Sequence, residues 1–433
     1  MAAAYMNSRG ALFFSLSAMV NVAARGLSPS RRAVFAKPGF KATYAVGIVW
    51  GLCRWSIGFL GAYVVADATD SARLVQLTGV LLWAPLLLTG VVGGAISDRF
   101  SRRKLLFVQF GVLGPLTAGL GVLALAGDLP LWVLYLYMVI AGFGWVIDMT
   151  ARRTLVYELV GDDHIDDAMA LEGLASAFGL MAGTLAGGAL IGAAGAGGAY
   201  LAVAGAIALA GVLLTAVPAT TGSGTTAEAA SETNEAPSLI AEMRAGLKLV
   251  GETPALASVL GVTALVNLFH FSYFPIVPVI ARQVGASPFA TGLLAAATGA
   301  GMAIGAIIVL RFPIRRGAAY VGGALGAFVF LVGFGAFNSY WLVFASLLLA
   351  SSFVGTFAST QGALVMTSVQ PEMRGRAMGF LSMAIGVLPL GMICLGEVSE
   401  LLGARAALVI SSVVGLVCVL AFLSRRPHAL HIR

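Results

Sequence analysis

Few residues of this chain can do chemistry, and the most telling of them interrupt long apolar runs. Arg54 falls near the centre of the run 43–66, about ten residues, or ~15 Å, from either end. A guanidinium at the middle of a bilayer costs at least ~2.5 kcal/mol on insertion scales, so it must face a cavity or an acid. It is expected either to recognise an anion or to be a structural cation paired with a carboxylate or with carbonyls. Gly47, Gly51, Gly58 and Gly61 recur around it and leave that face open to a close neighbour or a ligand, and Trp50, one turn earlier, would add an aromatic wall. Glu172 lies about one turn into the run 168–192. A partly buried acid there can bind and release a proton, or serve as an interfacial acid or a salt-bridge partner. Asp148 lies near the end of the run 130–151, with Arg152 one turn later. The run 255–281 carries Asn267, His270 and Tyr273, with Pro275 and Pro278 breaking the backbone ladder and permitting a bend. His270 could hold a proton, line a pocket with Tyr273 and Asn267, or be a hydrogen-bonded packing residue. Gln361, at the end of the run 339–361, is a further candidate for ligand contact.

The elements that must position these residues follow from composition. The chain has 433 residues, 59% hydrophobic and 10% charged, with a mean hydropathy of +0.95. An ordinary soluble domain is about a quarter charged, so lipid is the expected solvent. The 55 glycines suit close helix contact in a membrane. Twelve apolar runs are long enough to span: 43–66, 76–98, 104–126, 130–151, 168–192, 197–217, 255–281, 288–311, 318–337, 339–361, 376–397 and 403–424. The expected class is an all-α membrane protein with two six-helix bundles, 43–217 and 255–424.

Residues 1–42 hold an apolar stretch, 11–24, that is too short to span and is flanked by cations. It reads as an interfacial helix or a loose cytoplasmic tail. Residues 218–254 read as a cytoplasmic linker: 218–236 is rich in Thr, Ser, Gly and Glu, and Ser238–Val250 could lie as an amphipathic helix on the inner surface. Residues 425–433 form a short basic tail. If both termini are cytoplasmic, 22 of the 26 Lys and Arg fall on that side, which fixes the expected topology in the inner (plasma) membrane. The net charge of +7 is therefore loop charge beside spanning helices and does not point to nucleic acid. Cys53, Cys394 and Cys418 have neither disulfide nor metal spacing, and the acids of 162–167 read as a solvated loop. No nucleotide-binding loop and no catalytic constellation occurs, so an enzyme is not expected, nor a cofactor or metal. The loops Glu158–Met169 and Ser368–Met378 occupy matching places in the two halves, an internal repeat that suits a transporter with its site between them.

Three stretches carry a family resemblance. Gly94, Asp98, Arg99, Ser101, Arg103 and Lys104, between the second and third runs, resemble the loop signature of the major facilitator superfamily, with Ser101 where the pattern has Gly. Gly183-Thr184-Leu185-Ala186-Gly187-Gly188 looks like an element of drug:proton antiporters, with Thr184 in place of Pro. Gln370–Gly379 is similar to a loop of the drug and siderophore exporter branch, which includes enterobactin exporters and macrolide efflux proteins; Thr69-Asp70-Ser71-Ala72 is a weaker match to it. The resemblance covers about 43–424. It implies two pseudo-symmetric bundles working by alternating access, with efflux of a bulky small molecule exchanged for protons. It also implies a gating cluster of Asp98, Arg99 and Arg103 with Asp148, to which Gly94 and Arg374 belong as loop residues. Exporters of that branch carry an acid shortly after the first-helix Arg; none occurs in 56–61, which moves the expected proton site to Glu172. The expected partners are a small-molecule substrate, protons and the lipid bilayer, and the chain is expected to work as a monomer. A proton-linked importer, a lipid flippase and a non-transporting scaffold remain alternatives at this stage.

Overall fold

The computed structural model describes residues 29–89, 101–218, 250–370, 373–426 and 428. The apolar stretch 11–24, the linker 219–249 and residues 90–100, with Gly94, Asp98 and Arg99, lie outside them. Helix α1 (Pro29–Ala36) precedes α2 (Phe40–Ala68), α3 (Ala72–Thr89) and α4 (Arg102–Ala126). Then come α5 (Leu131–Ile147), a π-helical turn over Asp148–Arg152, α6 (Arg153–Val160) and the long α7 (Ile165–Leu214). The second half holds α8 (Pro254–Phe269), a 3₁₀ turn over Phe271–Ile276, α9 (Val277–Gln283), α10 (Pro288–Arg311) and α11 (Arg316–Ala336). It ends with α12 (Tyr340–Thr367), α13 (Arg374–Ile385), α14 (Leu388–Leu402) and α15 (Ala404–Arg425).

Among the described residues, ten helical segments are long and apolar enough to cross a membrane. One of them, Asp167–Leu214, has 48 residues, about twice what ~30 Å of hydrocarbon requires. It reverses at Gly195, whose φ of 69° and ψ of 179° only glycine adopts without strain. With that doubling and the shorter apolar helix Ala72–Leu86, the described residues make twelve crossings. Large apolar side chains such as Val122, Leu310 and Leu401 face outward, as lipid-facing helices require. Trp132 and Trp341, at the starts of the fourth and tenth crossings, are also exposed, as interfacial anchors are.

Local chemistry sets several boundaries. Ser101 caps α4, its Oγ accepting from the Lys104 amide at 3.4 Å, so the residue that departs from the loop signature starts the helix. Gly127, at φ 78°, ends that helix. Thr184, where the antiporter element has Pro, keeps its amide, and α7 runs through it as an uninterrupted helix. Pro275 and Pro278 do break the seventh crossing, which tightens to 3₁₀ between α8 and α9. The eleventh crossing breaks at Gly386–Val387, because Pro389 has no amide to bond the Ile385 carbonyl.

Small residues decide how the helices meet. A Cβ on Gly179 would lie 2.9 Å from the Gly51 carbonyl carbon, and one on Gly183 2.6 Å from the Leu52 oxygen. Thus α2 and α7 pack backbone to backbone. The two halves touch through α7 with α10 and α3 with α14, pairs that exchange under a two-fold relating the halves. A Cβ on Gly188 would lie 2.6 Å from Gly292 Cα, and Gln76 Nε2 donates to the Ser272 carbonyl at 3.0 Å. Arg73 pairs with Glu397 at 3.7 Å, and Ser71 Oγ donates to Glu400 Oε2 at 2.8 Å. All of these contacts lie toward the face remote from the chain termini, where the halves are closed. At the terminal face, α1 packs Val34 and Phe35 against Phe40, Val156 and Leu171.

Candidate functional site

Between the halves lies a cavity of about 610 Å³. Its lining runs from the helix midpoints toward the terminal face. The first half supplies Trp50, Arg54, Trp55, Trp83, Asp148, Arg152, Arg153 and Glu172; the second supplies Asn267, Phe271, Phe274, Met302, Phe357, Gln361, Ile385 and Leu388.

The first-half wall is an ion network. Arg152 binds Asp148 twice, through Nε to Oδ1 at 2.5 Å and through Nη2 to Oδ2 at 3.3 Å. Its Nη1 donates to Glu172 Oε2. Arg54 Nη1 lies 3.8 Å from Asp148 Oδ2, and Arg54 Nη2 donates to Ser176 Oγ at 3.4 Å. Asp148 and Arg152, four residues apart and on one helix side, begin and end a π-helical turn, and π turns recur at functional sites. Gly47 makes the space: a Cβ there would lie 2.6 Å from Arg152 Nη1. All four side chains are nearly buried, between 2% and 11% exposed. The two acids and two arginines balance in charge, which makes their burial tolerable, and removing one member would cost ~3–5 kcal/mol. Glu172 Oε1 is buried and accepts no hydrogen bond among the described residues.

Arg54 is also held by aromatic faces. Its guanidinium carbon lies 4.1 Å from the Trp145 ring centroid and 5.3 Å from that of Trp55, within cation–π range. Trp83 packs on Trp145 with centroids 4.3 Å apart, and Phe274 of the other half lies 6.0 Å from Trp55. The second-half wall is apolar apart from two carboxamides. Asn267 Nδ2 donates to the Thr263 carbonyl and Gln361 Nε2 to Thr263 Oγ1, each at 2.9 Å.

The cavity thus brings together Trp50, Arg54, Asp148, Glu172, Asn267 and Gln361. It does not include His270 or Tyr273. The seventh crossing turns Phe271 and Phe274 to the cavity, while His270 packs edge-on against Phe271, Tyr273 and Phe328. Tyr273 shares a hydrogen bond with Thr298 at 2.9 Å. Arg103 does not reach Asp148, whose oxygens are taken by Arg152 and Arg54; it donates to the Thr215 carbonyl at 3.0 Å. Arg374 is exposed, its Nε donating to the Met366 carbonyl at 3.3 Å. Arg152 as a bridge between the acids, and the indoles of Trp55, Trp83 and Trp145, were not singled out by sequence. Trp145 stands three residues before Asp148, the spacing of one helix face, and that signal would have found it.

Comparison with known proteins places this geometry. The family model described as transmembrane secretion effector matches residues 26–430. The enterobactin exporter EntS of Salmonella typhimurium (strain LT2) is 26% identical over 350 residues, covering 79% of this chain and 81% of that protein. The uncharacterized MFS-type transporter YfiS of Bacillus subtilis (strain 168) is 26% identical over 336 residues, covering 75% of this chain and 78% of that protein. The crystal structure of a bacterial homologue of the human lysosomal transporter Spinster, in an inward-facing and unoccupied conformation, superposes with a TM-score of 0.72 at 15% identity, over 93% of this chain and 98% of that one. The fold and these relatives are those of multi-pass inner-membrane transporters rather than enzymes. The chain belongs to the transmembrane secretion effector family, within the major facilitator superfamily of transporters.

Proposed function

We propose that this chain is a proton-coupled secondary exporter of a small organic molecule, such as a drug, siderophore or other natural product, working by alternating access. The observation that carries the reading is the buried network of Arg54, Asp148, Arg152 and Glu172 on the cavity wall, with Glu172 Oε1 unpartnered. Protonation turns that carboxylate from a charged acceptor into a neutral acid with an O–H donor, so it holds an N–H or O–H of a bound molecule less strongly. Such competition is what antiport requires: a substrate donor binds best to the bare carboxylate, and a proton on Glu172 weakens its hold. The neighbouring Arg54, backed by indoles, takes the electron-rich end of the molecule, and Asn267 and Gln361 offer amide groups opposite. Export is supported by the relatives named as enterobactin exporters. Cytoplasmic termini, on the distribution of cations, make the cavity described here the one that loads from inside. Arg103 and Arg374, with Gly94, Asp98 and Arg99 of the loop signature, would close it.

A susceptibility screen in a pump-deficient host, with and without an uncoupler, tests the reading. Expression should lower accumulation of at least one compound, and the uncoupler should restore it. Uptake in place of efflux, or efflux indifferent to the proton gradient, refutes it.

A further inference from the structure

A second, smaller chamber of about 60 Å³ lies beyond the aromatic layer, between the halves. It shares Trp55, Trp83, Leu180 and Phe274 with the large cavity, so the two are separated only by side chains. Its other walls come from both halves, with Gly58 and Thr184 on one side and Pro278 and Ala295 on the other. Past it the halves close at Gly188 against Gly292, so the chamber lies on the route a molecule must take to the far face.

The chamber is mostly apolar in its lining. It is lined by three threonines, and each hydroxyl is already engaged. Thr78 Oγ1 donates to the Val75 carbonyl at 2.7 Å and Thr184 Oγ1 to that of Leu180 at 2.8 Å, while Thr298 Oγ1 shares its bond with Tyr273. A water needs two to four polar partners and only ~10–15 Å³. The space is large enough for one, but with the threonine hydroxyl hydrogens engaged its polar partners are few, the Trp55 indole N–H and the threonine lone pairs. It is well below the ~150 Å³ of an engineered cavity that takes benzene, so it suits a small alkyl group rather than a ring.

We propose that this chamber is a second subsite for the transported molecule, receiving a small branched-alkyl end while the electron-rich end lies at Arg54 on the near side of Trp55. This assignment rests on the reading of Arg54 given above and adds a requirement to it: the ligand is amphipathic, with its apolar end pointing toward the exit. The same four shared residues would then hold the molecule before and after the halves rock, because they face both spaces.

The test uses the full chain in lipid nanodiscs and calorimetric titration with benzoate and 4-isopropylbenzoate. Burying the isopropyl group should tighten binding by about 10-fold or more. Ala295→Leu fills the chamber from the second half and Gly58→Ala from the first, where a Cβ would lie 3.3 Å from Leu82 Cδ2. In either variant the isopropyl advantage should fall below about 3-fold, while benzoate, which does not reach the chamber, binds as before. Because the chamber can be filled from either half, a folding defect in one variant leaves the other to decide. Equal affinity for the two probes in the parent chain, or an undiminished advantage in the filled variants, overturns the subsite and leaves the Arg54 reading standing. Failure of both probes to bind the parent removes the Arg54 reading, and the subsite with it.

Discussion

Substituting Gly292 by Val should push the two halves apart at the far face. A Cβ at Gly292 would lie 2.8 Å from Gly188 Cα, 2.8 Å from the Thr184 oxygen and 3.0 Å from Gly188 N. These are backbone atoms of α7, which cannot swing aside as a side chain can. Carbon atoms prefer a separation of about 3.5–4.0 Å, so α7 and α10 must part by roughly an ångström at this point. Overpacking of this kind costs about 1–3 kcal/mol. The cost arises only where the two helices touch, which is the arrangement closed at the far face. It is therefore a difference between conformations, and it shifts their ratio about 5- to 150-fold toward the arrangement open there. Cysteines for spin labels at Asp128 and Phe289 would report the far face, and at Asp163 and Arg315 the terminal face, in a background with Cys53, Cys394 and Cys418 replaced by Ala. In Gly292→Val the first distance distribution should move to longer values and the second to shorter ones. Gly322→Val is the control, because a Cβ at Gly322 meets nothing within 4 Å. Distributions in Gly292→Val that coincide with those of the control would refute the inference that this glycine contact holds the halves closed.

Glu172→Gln keeps a carbonyl for Arg152 but cannot exchange a proton; ligand exchange should persist in proteoliposomes, with affinity lowered by the lost charged acceptor, while acceleration by a pH gradient disappears, and an undiminished response removes Glu172 from coupling. Arg54→Lys keeps the charge but loses the planar group that lies over Trp145 and Trp55; affinity for anionic probes such as benzoate should fall about 10-fold, and unchanged affinity would show that charge alone suffices. Glu397→Gln removes an exposed ion pair with Arg73 that is worth at most ~1 kcal/mol, so the state ratio read from the same labels should move by less than about 5-fold; a larger shift would mean that the ion pair, rather than the glycine contact, is the latch.

How much of this could be read beforehand depends on the kind of signal. Arg54, Asp148 and Glu172 stood out because a charge in an apolar run is costly anywhere but beside a cavity or an opposite charge, and all three reach the same wall. Their pairing was less legible. The loop signature implies a cation of the loop before α4 as the partner of Asp148, yet Arg152, four residues on and on the same helix side, takes both of its oxygens; that spacing is legible in the sequence, whereas the reach of Arg152 to Glu172 is not. His270 and Tyr273 are expected as pocket residues on their polar groups within an apolar run, with packing as the alternative for His270. The two prolines wind that stretch to three residues per turn, so Phe271 and Phe274 take the cavity face instead. Gly47 leaves room for a neighbour, and that neighbour is the Arg152 guanidinium.

The division of labour between the halves follows from the same physics. Buried charges demand fixed geometry, because a pair drawn apart is two unpaid desolvation penalties. The half that carries all four network charges is the one whose first and fifth crossings lock through Gly51, Gly179 and Gly183. The other half lines the cavity with apolar groups and two carboxamides, which tolerate rearrangement. Its seventh and eleventh crossings, the counterparts of the first and fifth, are both broken, at 271–276 and at 386–387. Irregular backbone survives at membrane depth only where it lines a cavity or is buried in protein, and these breaks place Phe271, Phe274, Ile385 and Leu388 on the cavity wall. A bend at either break would move those side chains without disturbing the ion network. A shape change that admits or releases a molecule can therefore proceed in the second half while the first keeps its charges paired.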